Sequence, residues 1–181
     1  TGYVEWVLGD LRPKTAMHVI TELEAKSGAL LARNAYNTEF PDRVAFFDVD
    51  DAARSVTGDR TEFLGRNGAL RRPAAMARSR LSGKVGAALD PCAALLVPFD
   101  LADGKEREIV FTLGMGRNAA DAAGLVQRFR GPAAARGALA QDVPPSGPLV
   151  TATIGERFEI DSNFELDDPS PGTSYVADTL F

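Results

Sequence analysis

Asp59, Arg60, Glu62 and Arg66 lie close together in the segment Ser55-Val-Thr-Gly-Asp-Arg-Thr-Glu-Phe-Leu-Gly-Arg-Asn-Gly68. Arginine forks donate paired hydrogen bonds to carboxylates, phosphates and vicinal hydroxyls, and carboxylates accept from sugar hydroxyls. Both types beside permissive glycines suit polyol recognition or a charged joint between domains. The competing reading is an internal salt-bridge network that holds the segment down, the more usual use of paired charges. Glycosidase chemistry would need two carboxyl groups flanking a scissile bond, one of them with a raised pKa. Asp59 and Glu62 both neighbour arginines, and nearby positive charge lowers a carboxyl pKa, so this pair makes a poor general acid. With three glycines and few large apolar residues, the segment reads as an irregular polar stretch, neither amphipathic helix nor core strand.

Other reactive residue types are sparse. Cys92 is the only cysteine, which excludes an internal disulfide, and it opens an apolar run as a buried, inert thiol. His18 is the only histidine and sits in Ala16-Met-His-Val-Ile-Thr21, where strand alternation sets it beside Ile20 as a structural or surface residue. Gly114-Met-Gly-Arg-Asn118 lacks the third glycine of a dinucleotide fingerprint and reads as a strand-to-helix turn. Tyr3 and Trp6 could stack on a sugar, although aromatics at strand spacing more often pack a core. Arg71, Arg72, Arg78, Arg80 and Lys84 crowd one stretch, as a solvated basic loop or a phosphate contact. No cofactor or metal is expected.

These residues must be carried by a fold that 181 residues, 45% hydrophobic and 25% charged, can close as one domain. A net charge of -5 gives no global field for nucleic acid or an anionic membrane, and no segment has the pattern of a membrane span or signal peptide. A soluble, cytoplasmic protein is expected, even if it belongs to the cytoplasmic part of an inner-membrane enzyme. The missing initiator methionine points to a fragment.

Strand signals fill the N-terminal half. Tyr3–Gly9 and Arg43–Val49 read as strands, and Met17–Leu23 with Ala29–Arg33 as a hairpin around the polar turn Glu24–Gly28. Ala94–Leu101 and Arg107–Leu113 read as a second hairpin turned by Asp103-Gly104, with Pro98 at an edge or bulge. Between these regions the polar stretch 52–91 is too long for a simple loop, which argues for function or a missing partner. Asn118 caps a predicted helix to Arg130 whose apolar face is Ala122, Leu125, Val126 and Phe129. Pro144–Pro148 breaks the chain, Thr151–Ile154 and Arg157–Ile160 are short strand candidates, and the acidic, proline-dotted end reads as extended.

Several long motifs occur together in order: Tyr3–Gly9, Arg33-Asn-Ala-Tyr-Asn-Thr-Glu-Phe40, Arg43–Phe47, Ser55–Gly68, Leu81–Gly86 and Asp90–Leu95. Over residues 1–131 they resemble the N-terminal β-sandwich of glycoside hydrolase family ninety-four, formerly glycosyltransferase family thirty-six. The similarity is greatest to the phosphorylase-like region of cyclic β-1,2-glucan synthases, with cellobiose and chitobiose phosphorylases more distant. The resemblance implies a mainly β fold, part of an antiparallel supersandwich of the galactose-mutarotase type. Residues 1–117 would form its C-terminal part, 118–131 a linker helix and 132–181 an unassigned tail. It implies that the general acid and the phosphate site lie on an (α/α)₆ barrel that this sequence lacks, with inorganic phosphate as co-substrate of the parent enzyme. The role implied is non-catalytic: shaping the sugar site or the dimer interface, with Asp59, Arg60, Glu62 and Arg66 facing sugar or interface. Expected partners are a β-linked glucan or oligosaccharide, the barrel domain and a second copy in a homodimer; nucleic acid and membrane are not expected. A stand-alone carbohydrate-binding module and a purely structural or oligomerisation domain are the alternatives.

Overall fold

The computed structural model describes residues 1–131, 133, 134, 137, 158–161 and 174–177. The strand candidate Thr151–Ile154 and most of the expected tail lie outside them, while the candidate Arg157–Ile160 largely coincides with a described strand, Phe158–Asp161. Two antiparallel sheets stack face to face. One has the order β1 (Gly2–Glu5), β6 (Pro91–Leu96), β5 (Ser55–Asp59). The other runs β2 (Val19–Leu23), β3 (Leu30–Asn34), β4 (Val44–Val49), β7 (Phe111–Gly116). Two further strands, β8 (Phe158–Asp161) and β9 (Ser174–Ala177), pair with each other.

Strand alternation creates three cores. Inward residues Val4, Leu30, Ala32, Ala45, Phe47, Ala93 and Leu95 meet between the sheets, joined by Trp6. On the outer face of the three-stranded sheet, Cys92, Ala94, Leu96 and Tyr3 receive Phe63 and Leu64 of α2 (Arg60–Leu64), with Ala75 and Leu81. On the outer face of the other sheet, Leu31, Val44 and Phe46 receive Ala122 and Val126 of α3 (Ala119–Arg128). Strands β4 and β6 are therefore buried on each face, which is why they read as apolar runs, broken in β4 by Asp48 alone.

The first hairpin is as expected: β2 pairs β3 around Glu24–Gly28, whose Gly28 has φ +69°. The helix is also where its signals place it, with Asn118 Oδ1 accepting from the Asp121 amide at 2.9 Å. Gly116 lies so close beneath α3 that a Cβ there would stand 2.3 Å from the Ala122 nitrogen.

The second hairpin does not form. β6 already has β1 on one edge and β5 on the other, while β7 pairs β4 in the opposite sheet. The intervening chain crosses between sheets as an exposed segment that begins near Pro98, beyond the end of β6. His18 is not on a strand face; it closes a 3₁₀ turn, Ala16–His18, before β2 begins. Gly114 and Gly116 belong to β7 itself, so the expected strand-to-helix turn is confined to Arg117 and Asn118.

Candidate functional site

The segment Ser55–Gly68 is regular secondary structure as far as Leu64, and only residues 65–68 are the irregular turn expected of the whole. Ser55–Asp59 is the fully buried strand β5, and Arg60–Leu64 is one helical turn. Polar composition misled because the polar groups are satisfied by chain that lies well ahead in sequence. The segment 81–86 runs alongside β5: the Gly83 amide donates to the Val56 carbonyl at 2.8 Å, and the Gly58 amide to the Lys84 carbonyl at 2.7 Å. Gly58 permits this approach, since a Cβ there would sit 3.3 Å from the Lys84 carbonyl oxygen, and it also admits Thr21 of β2, whose Oγ1 would be 2.5 Å away. The long stretch between the two β regions is thus a strand, a helical turn, a 3₁₀ turn at Ala74–Ala77 and an edge-covering segment.

Each carboxylate of the segment is engaged. Asp59 caps α2 by accepting from the Thr61 amide at 2.9 Å and pairs with Lys84 Nζ at 2.5 Å. Glu62, with a side chain only 9% exposed, accepts from Thr57 Oγ1 and Ser82 Oγ at 2.6 Å, the Ser82 amide at 2.9 Å and Arg78 at 3.4 Å. Burial works to raise its pKa, but the bonds from Ser82 and Thr57, with Arg78 beside them, hold it below the usual value.

Arg60 points the other way, into a closed ring of alternating charge. It donates to Glu5 at 2.7 Å and pairs with Asp90 at 3.4 Å, while Arg12 pairs with the same two carboxylates. The Tyr3 hydroxyl adds a 2.7 Å bond to Glu5. The Glu5 hydrogen bond raises the Arg60 pKa, and burial raises that of Tyr3. The ring fastens β1, the first helical turn (Arg12–Thr15), α2 and the start of β6 at one corner.

Asp59 and Glu62 are thus brought together against residues 78–84, Arg60 is turned into the separate ring, and all three are internally partnered. Arg66 lies beyond α2, exposed and without an ion pair among the described residues, as are Arg71, Arg72 and Arg80. Residues 63–89 contain six cations and no carboxylate, in a chain of net charge -5. Leu64, Leu70, Ala75 and Leu81 point into the sheet beneath, so the arginines form the outer surface of this cover. A groove of about 290 Å³ passes Leu23, Arg54, Arg80 and Ser82, touching none of the four candidate residues. Tyr3 and Trp6 offer no sugar platform: both are buried, Tyr3 stacked on Phe63 at 4.6 Å and Trp6 in the central core.

A second network escaped sequence reasoning. Asp48, 3% exposed, lies between Arg54 at 3.6 Å and Arg130 at 3.4 Å. Arg130 also pairs with Asp50 at 3.1 Å and donates to the Ser27 carbonyl at 2.9 Å, tying the chain after α3 to the β2–β3 turn. Burial raises the Asp48 pKa against the pull of both arginines. The available signal was a carboxylate interrupting the otherwise apolar strand Val44–Val49. Among the described residues, no group of three or more His, Cys, Asp or Glu could hold a metal ion, and no helix is long and apolar enough to cross a membrane.

The amino-acid sequence that builds this site matches a named domain family. The family model for the glycosyl hydrolase 94 supersandwich domain matches residues 1–132. The cyclic β-(1,2)-glucan synthase NdvB of Rhizobium meliloti (strain 1021) is 36% identical over 130 residues, which are 71% of this chain. The chain spans 5% of that relative's length.

Proposed function

The chain belongs to the glycosyl hydrolase 94 supersandwich family, and from that premise we propose that it is a non-catalytic, carbohydrate-associated scaffold for a β-glucan phosphorylase or cyclic β-1,2-glucan synthase. Its arginine-rich cover is the face that docks on the catalytic barrel. In such an enzyme, inorganic phosphate forms a bond to the anomeric carbon as the glycosidic bond breaks, and an acid on the barrel protonates the leaving oxygen. The sandwich holds one wall of the sugar site, and it works on the cytoplasmic side, with a β-linked glucan as the parent's substrate and a homodimer as its assembly.

The carrying observation is how the charges at the α2 corner divide. The two carboxylates of the signature segment are saturated by internal donors, and Glu62 is held acidic, the reverse of what a general acid requires. Asp48 does have a raised pKa, but it is sealed between two arginines where no substrate reaches it. Arg66, Arg71, Arg72 and Arg80, by contrast, are built on a fixed support and left open for an acidic surface. The assay is direct: the chain is incubated with β-1,2-linked glucan and phosphate while sugar phosphate is measured. No release above buffer is expected; turnover by the chain alone would refute the proposal.

A further inference from the structure

We propose that the stacked pair Tyr36–His18 is a binding platform for a β-linked glucan, separate from the arginine-rich face; this rests on the carbohydrate-associated reading above. The two rings lie 4.4 Å apart at an interplanar angle of 29°. Tyr36 is 75% exposed and Met17, next to His18, 70% exposed. His18 supports one face of the tyrosine ring, leaving the other to solvent.

The platform is fixed before any ligand arrives. Buried Asn34 donates to the Leu8 carbonyl at 2.9 Å and accepts from the Tyr36 amide at 3.0 Å, clamping the turn that carries Tyr36. On the other side Thr15 Oγ1 bonds the Leu11 carbonyl at 3.1 Å and also the Val7 carbonyl, fixing the turn that leads to His18. Ordering an exposed aromatic pair in this way removes the entropy cost that binding would otherwise meet.

Charge selects the ligand class. In a chain one quarter charged, the two short segments 15–21 and 34–38 contain no acidic residue, lysine or arginine. The ligand matched to such a surface is neutral, with one apolar face and hydroxyls at its rim. A β-linked glucopyranose meets this description: its substituents are equatorial, its axial C–H bonds stack on an aromatic face, and its rim hydroxyls can accept from the Asn37 side-chain amide, whose oxygen is already held by the Glu39 and Phe40 amides.

The test is calorimetric titration of the chain with sophorose and longer linear β-1,2-linked oligosaccharides. Saturable binding is expected, about tenfold weaker in Tyr36→Ala and nearly unchanged in Tyr36→Phe. Because Tyr36 is largely exposed, the variant stays folded, which the emission of the single buried Trp6 verifies. Binding that Tyr36→Ala does not alter, or no binding by the folded chain, overturns the platform. Loss of barrel docking in Tyr36→Ala without any sugar binding would also overturn it, assigning the pair to a protein interface. The scaffold reading is judged separately, by barrel docking and its dependence on Arg71 and Arg72.

Discussion

Glu62 gathers hydrogen bonds from β5, from Arg78 and from both the backbone and side chain of Ser82, so one carboxylate seals the edge of the three-stranded sheet. Glu62→Gln should cost about 1–2 kcal/mol at neutral pH, read from denaturant midpoints. The pH dependence has a definite sign. A carboxyl whose folded pKa is depressed stabilises the fold above its ordinary value of 4.5, and loses that contribution as pH falls through the folded value. The difference between wild type and Glu62→Gln should therefore be widest near neutrality and narrow as pH falls through the folded value, below the ordinary 4.5. Cys92 gives a second check: burial pushes its thiol well above the ordinary value. The folded chain should resist a thiol reagent at pH 8 and react fully in denaturant; rapid labelling of the folded form would place Cys92 at the surface. The types of Asp59, Arg60, Glu62 and Arg66 were legible in sequence, and so was the chance that they pair internally. Their partners were not, because Lys84, Ser82, Asp90 and Glu5 come from distant segments that only the sheet order brings near.

Among the elements, α3 and the β2–β3 hairpin were readable because their determinants are local: a cap, an apolar stripe, a glycine turn. β5 was hidden because its side chains are polar, and the supposed β6–β7 hairpin failed because pairing of β6 with β1 and β5 is non-local and leaves no edge for β7. Such pairings depend on register across long separations, which the residue pattern of one strand does not encode. Gly116 tests the packing of α3 on β7. Gly116→Ala forces its Cβ against backbone, not a yielding side chain, so a loss of about 2–3 kcal/mol is expected, with faster amide exchange in α3. Exchange unchanged in α3 would show that the helix does not rest on this strand.

For the molecule as a whole, an acidic chain carries one basic cover, fixed to its sheet by Phe63, Leu64 and Leu81. That polarity makes the sandwich a directional part, with one face suited to an acidic neighbour, and the contact should weaken as salt screens it. The sequence conveyed the charge excess at 63–89 but not its display on a single face, which follows from the apolar residues between the arginines turning inward. The decisive measurement is calorimetric titration of the chain with a separately expressed catalytic barrel of a cyclic β-1,2-glucan synthase. The account predicts saturable one-to-one binding that weakens with salt and falls about tenfold or more in Arg71→Glu/Arg72→Glu. Absence of binding at low salt, or binding indifferent to both salt and these arginines, would contradict it.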